Sequence, residues 1–552
     1  MANLKSLAKD TAIYGLSSII GRFLNYLLVP LYTHVIASSS GDYGVVTNLY
    51  AYTALLLVIL TYGMETTFFR FSNKEGENPD KVYSTILTSV LTTSVLFAGL
   101  VVLFIKPISS ALGYAGHPSY VWAMTATVAI DAFQCIPFSY LRLKKRPLKF
   151  AALKLLFIGL NIFLNLAYFV ILPKLEANPF GIYDGGLDVG YVFYINLFCT
   201  AFITLFFWKE LRGFKFGFDG RLLKRMLGYS WPILVLGIAG ILNQSGSQII
   251  FPFIYGEGSS VPLGIYGASI KIAMIMAMIT QAFRYAYEPF VFGSAADKNS
   301  KEMYAKAMKY FIIFTLLAFL CVIGYMNILK YIIGPSYWEG LKVVPIVMAA
   351  EIMMGIYFNL SFWYKLTDQT LWGALFSGIG CLVLFGVNIM FIPKFSYMAC
   401  AWAGFAGYGA AMVLSYIVGQ KKYPINYPLK DIALYVCLAV ILYVCMSCAN
   451  VHLSTWPAIG INTVLILAFC AVIIKRDFPS PPSPLSGNIS GNANPLRDYE
   501  HQACAGSIIM QHFRSFLIRL TQKPQDSEQS DRSGLGNPFP MPLRGCHGVT
   551  GG

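Results

Sequence analysis

Arg22 is the only formal charge between Thr11 and Ala37, in a stretch that is otherwise apolar or small, "GRFLNYLLVPLY" at 21–32. A charged side chain near the centre of a bilayer-length segment costs about 2.5–3.5 kcal/mol on insertion scales, so it faces a water-filled cavity or a partner. No carboxylate lies within four residues of Arg22 to pair with it in its own helix. A guanidinium grips phosphate oxygens bidentately, so the chemistry it offers is anion binding. Asn25, at i+3, shares its face. A second cation, Lys271, lies about nine residues from the end of another apolar segment, which is about 14 Å deep at a helical rise. The structural alternative for both is an ion pair with a carboxylate of a neighbouring helix.

Other charges have different places. Glu65 and Arg70 close the second apolar segment, and Arg284 and Glu288 close the eighth at a spacing of i,i+4. These four read as a gate at one membrane face, or as local pairs. Asp131 and Glu351 lie at depth on other segments. They are candidate coupling carboxylates for H+ or Na+, with core hydrogen bonding as the plainer role. Lys154 lies near a helix end, from which it can snorkel. There is no phosphate-binding loop, GxSxG or HExxH, so neither ATP hydrolysis by that machinery nor a familiar enzyme site is indicated, and no resident cofactor or metal is expected.

The elements that must position these residues are helices in a membrane. Of 552 residues 56% are hydrophobic and 12% charged. About fourteen segments of roughly twenty apolar residues recur up to residue 474. The net charge of +15 would suggest nucleic acid in a soluble protein, but here it sits in loops. Clusters such as Arg142, Lys144, Lys145, Arg146 and Lys149 fall in every second loop, and the alternate loops hold only scattered lysines such as Lys106, Lys174 and Lys394. This is the positive-inside pattern, and it places both the N-terminus and the end of the last span in the cytoplasm.

The sequence also repeats. Slid by 222 residues, Gly15 falls on Gly237 and Pro30 on Pro252; after one added residue, Tyr43-Gly44 falls on Tyr266-Gly267 and Glu65 on Glu288. Arg22 then matches Gln244, Asn25 matches Ser247, and Asn48 matches Lys271, with Asn243 and Gln248 extending the polar stripe. Six spans separate the copies, so they have the same orientation. The expected fold is an all-α polytopic membrane protein of about 14 transmembrane helices: two six-helix lobes in a parallel pseudo-twofold repeat, plus two C-terminal helices. The lobes are expected at 1–208 and 209–418, the additional helices at 419–475, and a polar, disordered or artefactual tail at 476–552. Parallel repeats belong to transporters that rock two halves about a central site. Asn25, Asn48, Asn243, Gln244, Ser247 and Gln248 are therefore expected to line a cavity between the lobes with Arg22 and Lys271.

The opening "AKDTAIYGLSSIIGRFLNYLLVPLYTHVIASSSGDYG", with "YGMETTFFRFS" at 62–72 and "YAYEPFVFG" at 285–293, resembles the bacterial polysaccharide-transporter family. These are Wzx-type flippases of lipid-linked oligosaccharides, in the superfamily of the multidrug and toxin extruders. The resemblance implies a bacterial inner-membrane protein that moves an undecaprenyl-diphosphate-linked sugar unit to the periplasmic leaflet, for lipopolysaccharide O-antigen, capsule or exopolysaccharide. It implies a central cavity with cationic residues, at the positions of Arg22 and Lys271. Its partners would be the lipid-linked oligosaccharide, membrane lipid, and the polymerase and glycosyltransferases of the pathway, with no nucleic acid. Two alternatives remain: a cation-coupled multidrug-type exporter of the same fold, and a membrane polymerase or glycosyltransferase. The first would want carboxylates at midplane. The second would want a large external loop, which is missing.

Overall fold

Hydrocarbon offers the backbone no hydrogen-bonding partner, so apolar stretches of this length must satisfy their own N–H and C=O groups as helices. The computed structural model, which describes residues 26–175, 188–293, 299–367 and 369–477, shows that outcome. Thirteen helices are long and apolar enough to cross a membrane, and among the described residues there is no strand. The expected first span is described only from Tyr26, through helix α1 (Leu28–Val35). Arg22 and Asn25 lie outside the described residues, as does the expected tail after Asp477. Thirteen spans and that first segment agree with the count of about fourteen. The chain is a multi-pass membrane protein.

The helices that matter below are α2 (Asp42–Thr61), α3 (Met64–Ser72), α4 (Pro79–Leu103), α5 (Pro118–Leu143), α6 (Pro147–Leu166) and α7 (Gly190–Thr204). The second half contributes α8 (Gly220–Tyr255), α9 (Ser260–Gly293), α10 (Ser300–Gly324), α11 (Val344–Leu360), α12 (Leu371–Phe395) and α13 (Tyr397–Lys422). Helices α14 (Leu429–His452) and α15 (Thr455–Asp477) follow. By internal contacts the chain divides into residues 1–469 and 470–552. The first unit holds everything through most of α15; in the second, the described residues are the final turns of that helix.

Local chemistry sets the breaks. Tyr62 and Gly63 both have positive φ, 32° and 73°, which ends α2 and starts α3 at a new angle. Gly63 is forced further: a Cβ there would meet Ile233 and the Ser230 carbonyl at 3.1 Å. Helix α8 starts from an Asp219 cap whose side chain accepts from the N–H groups of Arg221 and Leu222, both at 3.0 Å. The bond from Leu222 and the Lys81 ammonium at 2.9 Å pull the Asp219 carboxyl down to about 2.

Around this end of the molecule α2, α3, α4, α5 and the first turns of α8 share one apolar core, built on Met64, Phe68, Val82, Ile86, Ile136 and Met226. Helix α8, at 36 residues, is long enough to join both halves: its start packs on that core, and it also packs on α12, α13 and α2. In the added pair, Asn450 of α14 and Asn462 of α15 donate to the carbonyls of Ile323 and Gly324 at the end of α10, at 3.2 and 2.8 Å.

Candidate functional site

The residues expected at the charged end do not meet one another across the molecule. Each carboxylate pairs inside its own half. Glu65, in the first turn of α3, pairs with the Arg142 guanidinium at the end of α5 and accepts from the Cys135 thiol at 3.2 Å. Glu288 of α9 takes the Lys365 ammonium, just beyond α11, at 3.4 Å. The anticipated i,i+4 contact from Arg284 is present at 3.7 Å, with that guanidinium 3.7 Å over the Phe358 ring. Arg70 instead lies 4.1 Å over the Tyr229 ring of α8. The two carboxylate–cation pairs obey the sequence repeat: 65 + 223 = 288 and 142 + 223 = 365. A contact recurring at the register of the sequence match is independent support for the repeat.

Arg142 and Lys365 are the functional candidates that sequence reasoning missed. From sequence Arg142 is one loop charge among several. The signal was available, since the shift that aligns Glu65 with Glu288 also aligns these two cations.

At mid-depth the polar stripe divides by use. Asn48 is buried, its Nδ2 donating to the Gln248 carbonyl at 2.7 Å and its Oδ1 accepting from the Tyr114 hydroxyl at 2.7 Å. Asn243 donates to the Ser377 carbonyl at 2.9 Å, and Ser247 accepts from Asn388 at 2.9 Å. These three are committed to helix packing, because a polar atom in this environment takes the nearest partner. Lys271 is the contrast: half-buried on α9, it makes no hydrogen bond or ion pair among the described residues.

Gln244, Asn243 and Ser247 line a cavity of about 50 Å³ with Tyr266, Glu351 and Tyr408. Its walls come from α8, α9, α11, α12 and α13, so it lies inside the second half and not between the halves, where the stripe was expected. Glu351 has no hydrogen-bond donor or cation on it among the described residues, and room for water or a small ion beside it. Asp131 differs: it interacts electrostatically with Lys154, whose ammonium lies 4.1 Å over the Phe138 ring and does not simply snorkel outward. Gln134, on the same helix, is satisfied by the Thr200 carbonyl and the Thr204 hydroxyl, each at 2.7 Å. Among the described residues no cluster of three His, Cys, Asp or Glu could hold a metal; the CxxC spacing at Cys445 and Cys448 is two exposed, free thiols on α14.

The opposite end is sealed between halves. Gly44 of α2 sits so close to α9 that a Cβ would lie 1.8 Å from the Ser260 carbonyl oxygen, and one on Gly267 would lie 2.2 Å from Thr47 Oγ1. The segment before α11 closes over the end of α1. The Gly334 N–H donates to Thr33 Oγ1 at 3.1 Å, and the fully buried Tyr337 donates to the Ile36 carbonyl at 3.0 Å. The Tyr337 ring also meets Tyr43 edge-on at 5.7 Å. The molecule is thus closed at one end, with its repeated ion pairs held within each half at the other.

The profile of the polysaccharide biosynthesis protein family matches residues 7–289, and the chain belongs to that family. No curated protein sequence matches it. Among solved structures it is similar to one described as the lipid II flippase MurJ in an inward closed conformation, at 15% identity and a TM-score of 0.65, covering 84% of this chain and 98% of that one. It is also similar to an inward-facing multidrug resistance MATE family transporter of the MOP superfamily, at 15% identity and a TM-score of 0.57, covering 72% and 93%. A third is the MATE multidrug transporter DinF-BH, at 16% identity and a TM-score of 0.52, covering 75% and 95%. At these identities the likeness establishes a shared fold.

Proposed function

We propose that this polysaccharide biosynthesis protein is a flippase that carries a polyprenyl-diphosphate-linked oligosaccharide from the cytoplasmic to the periplasmic leaflet of the bacterial inner membrane by alternating access. The end with the repeated ion pairs is the cytoplasmic one, as the loop charges suggest. The observation that carries the reading is Lys271: a mid-depth ammonium without an anionic partner among the described residues asks for an anion from outside the protein. A diphosphate supplies it, with Arg22 as the second cation. An inside-negative potential favours outward movement of that anion by about 2.3 kcal/mol per charge per 100 mV. The product unit would serve O-antigen, capsule or exopolysaccharide assembly, between the glycosyltransferases that build it and the polymerase that consumes it.

Glu351 is the better of the two coupling candidates, because Asp131 has Lys154 beside it and Glu351 faces space. It also supports a second reading, a multidrug-type exporter, since a carboxylate on a cavity without a cation suits a cationic ligand.

The test is polysaccharide display by a strain lacking its own flippase and complemented with each variant, normalised to membrane level. Arg22→Ala and Lys271→Ala should each lose display by tenfold or more. Arg22→Lys should keep part of it, since the charge remains and the bidentate fork is lost. Near-normal display with both alanines would refute the diphosphate reading and favour the second.

A further inference from the structure

Helix α8 carries Pro232 and Pro252 in its interior. In an α-helix each carbonyl accepts from the N–H four residues on, and proline has no N–H, so Pro252 strips the Gln248 carbonyl of its donor within α8. A carbonyl left unpaired away from water is costly, so a donor must come from elsewhere. It comes from the other half of the molecule: Asn48 Nδ2 of α2 reaches the Gln248 carbonyl at 2.7 Å. The next carbonyl, of Ile249, accepts from the Tyr52 hydroxyl at 3.3 Å. The Tyr114 hydroxyl donates to Asn48 Oδ1 at 2.7 Å, which fixes the amide with its nitrogen toward α8.

We propose that Asn48 is the latch of the sealed end, and that Pro252 creates the acceptor it closes on. Helices α2 and α8 belong to different halves, and the tight Gly44–Ser260 and Thr47–Gly267 contacts lie beside the latch toward the same end. Opening that end separates the amide from the carbonyl, and water must enter to satisfy both. The repeat shows that the latch is one-sided. Pro30 stands where Pro252 does (30 + 222 = 252), Tyr26 where Gln248 does (26 + 222 = 248), and Lys271 where Asn48 does (48 + 223 = 271). Pro30 likewise cannot donate to the Tyr26 carbonyl. There the neutral amide is replaced by an ammonium that makes no bond among the described residues. One copy of the position holds the seam, and the other is left for a ligand.

The inference rests on alternating access, and its test separates the two. Thr47→Cys places a thiol in the seam, and its labelling by a membrane-impermeant maleimide in intact cells, read at that peptide by mass spectrometry, reports opening of the sealed end. Asn48→Leu should raise labelling on the order of tenfold, the scale of a buried acceptor left unpaired. With Pro252→Ala, which returns an N–H to the Gln248 carbonyl, the same Asn48→Leu change should alter labelling less than about twofold. If Pro252→Ala fails to reach the membrane, a second pair of variants decides. Asn48→Asp cannot donate to the carbonyl when ionised and should raise labelling as leucine does. Tyr114→Phe leaves the donor in place but no longer fixes its orientation, and should raise labelling by less than leucine at 48 does; an increase as large as that of leucine overturns the latch. Equal labelling with and without Asn48, or an equal increase in both Pro252 backgrounds, overturns the latch and leaves transport standing. Absence of labelling in every variant, wild-type background included, overturns alternating access and the latch with it.

Discussion

Replacing Glu288 by glutamine separates the role of the repeated ion pairs in transport from any role in stability. The Glu288–Lys365 pair is 3.4 Å apart with side chains 34% and 24% exposed. At that distance Coulomb attraction is about 1 kcal/mol in bulk water and about 5 kcal/mol at an effective dielectric of 20. Both groups keep part of their hydration, so screening and side-chain entropy bring the net worth to about 1 kcal/mol or less. Glu288→Gln should therefore leave membrane level within about twofold of normal. A pair that biases closure of its end of the molecule by about 1 kcal/mol changes the balance of conformations by roughly fivefold, so display should slow by about that factor. The double reversal Glu288→Lys with Lys365→Glu should regain most of the loss, because the attraction survives with its sign exchanged across the pair. Pulse-labelled appearance of surface polysaccharide, normalised to protein in the membrane, measures both quantities. Loss of the protein from the membrane would make the pair structural. Normal rates in the single variant, or no recovery in the double one, would remove it from the gate.

Glu351→Gln should make display insensitive to the imposed proton or sodium gradient while leaving binding of the lipid-linked unit in detergent within about threefold; a gradient response like that of the parent protein would exclude Glu351 as the coupling group. Reporter fusions after Lys422 and after Lys475 should both read cytoplasmic, and a periplasmic signal at either would overturn the orientation on which the two gates are named.

The spans, their number and the repeat were legible because hydrocarbon imposes them residue by residue: a helix of the right length and an apolar surface leave their mark on every turn. Glu65 and Glu288 were legible for a related reason, since the repeat singles them out without any knowledge of packing. Their partners were not, because Arg142 and Lys365 are each 77 residues away from the carboxylate they meet, and only the docking of α3 on α5, and of α9 beside α11, brings them close. The polar stripe of α8 misled in the opposite direction. Asn243 and Ser247 have the spacing of a ligand-facing row, and the same spacing serves a row that hydrogen-bonds to α12. Sequence periodicity says which face a side chain is on and nothing of what stands opposite. The proline at 252 was the available clue that Asn48 would be answering a freed carbonyl of α8, and its repeat mate Pro30 was already in view.

The repeat has kept its geometry and let its chemistry diverge, and the divergence has a direction. The repeated ion pairs differ only as arginine from lysine, so both halves keep a carboxylate and a cation there. At mid-depth the exchange is of charge for neutrality: Lys271 against Asn48, and Arg22 against Gln244. Each half contributes one cation, from non-equivalent helices, and one amide. A gate that acts alike on both halves needs matched pairs, and the ends keep them. A ligand with a single anionic head and a long neutral body has no twofold axis, and a site that holds it must break the one the fold provides. Cations at 22 and 271 matched in the repeat by amides at 244 and 48 break it in that way. On this reading Lys271→Asn, which restores symmetry with Asn48, should lose display as severely as Lys271→Ala, although it offers the Tyr26 carbonyl the donor that Asn48 gives Gln248. Retained display in the asparagine variant alone would mean that position 271 serves the seam and not the diphosphate.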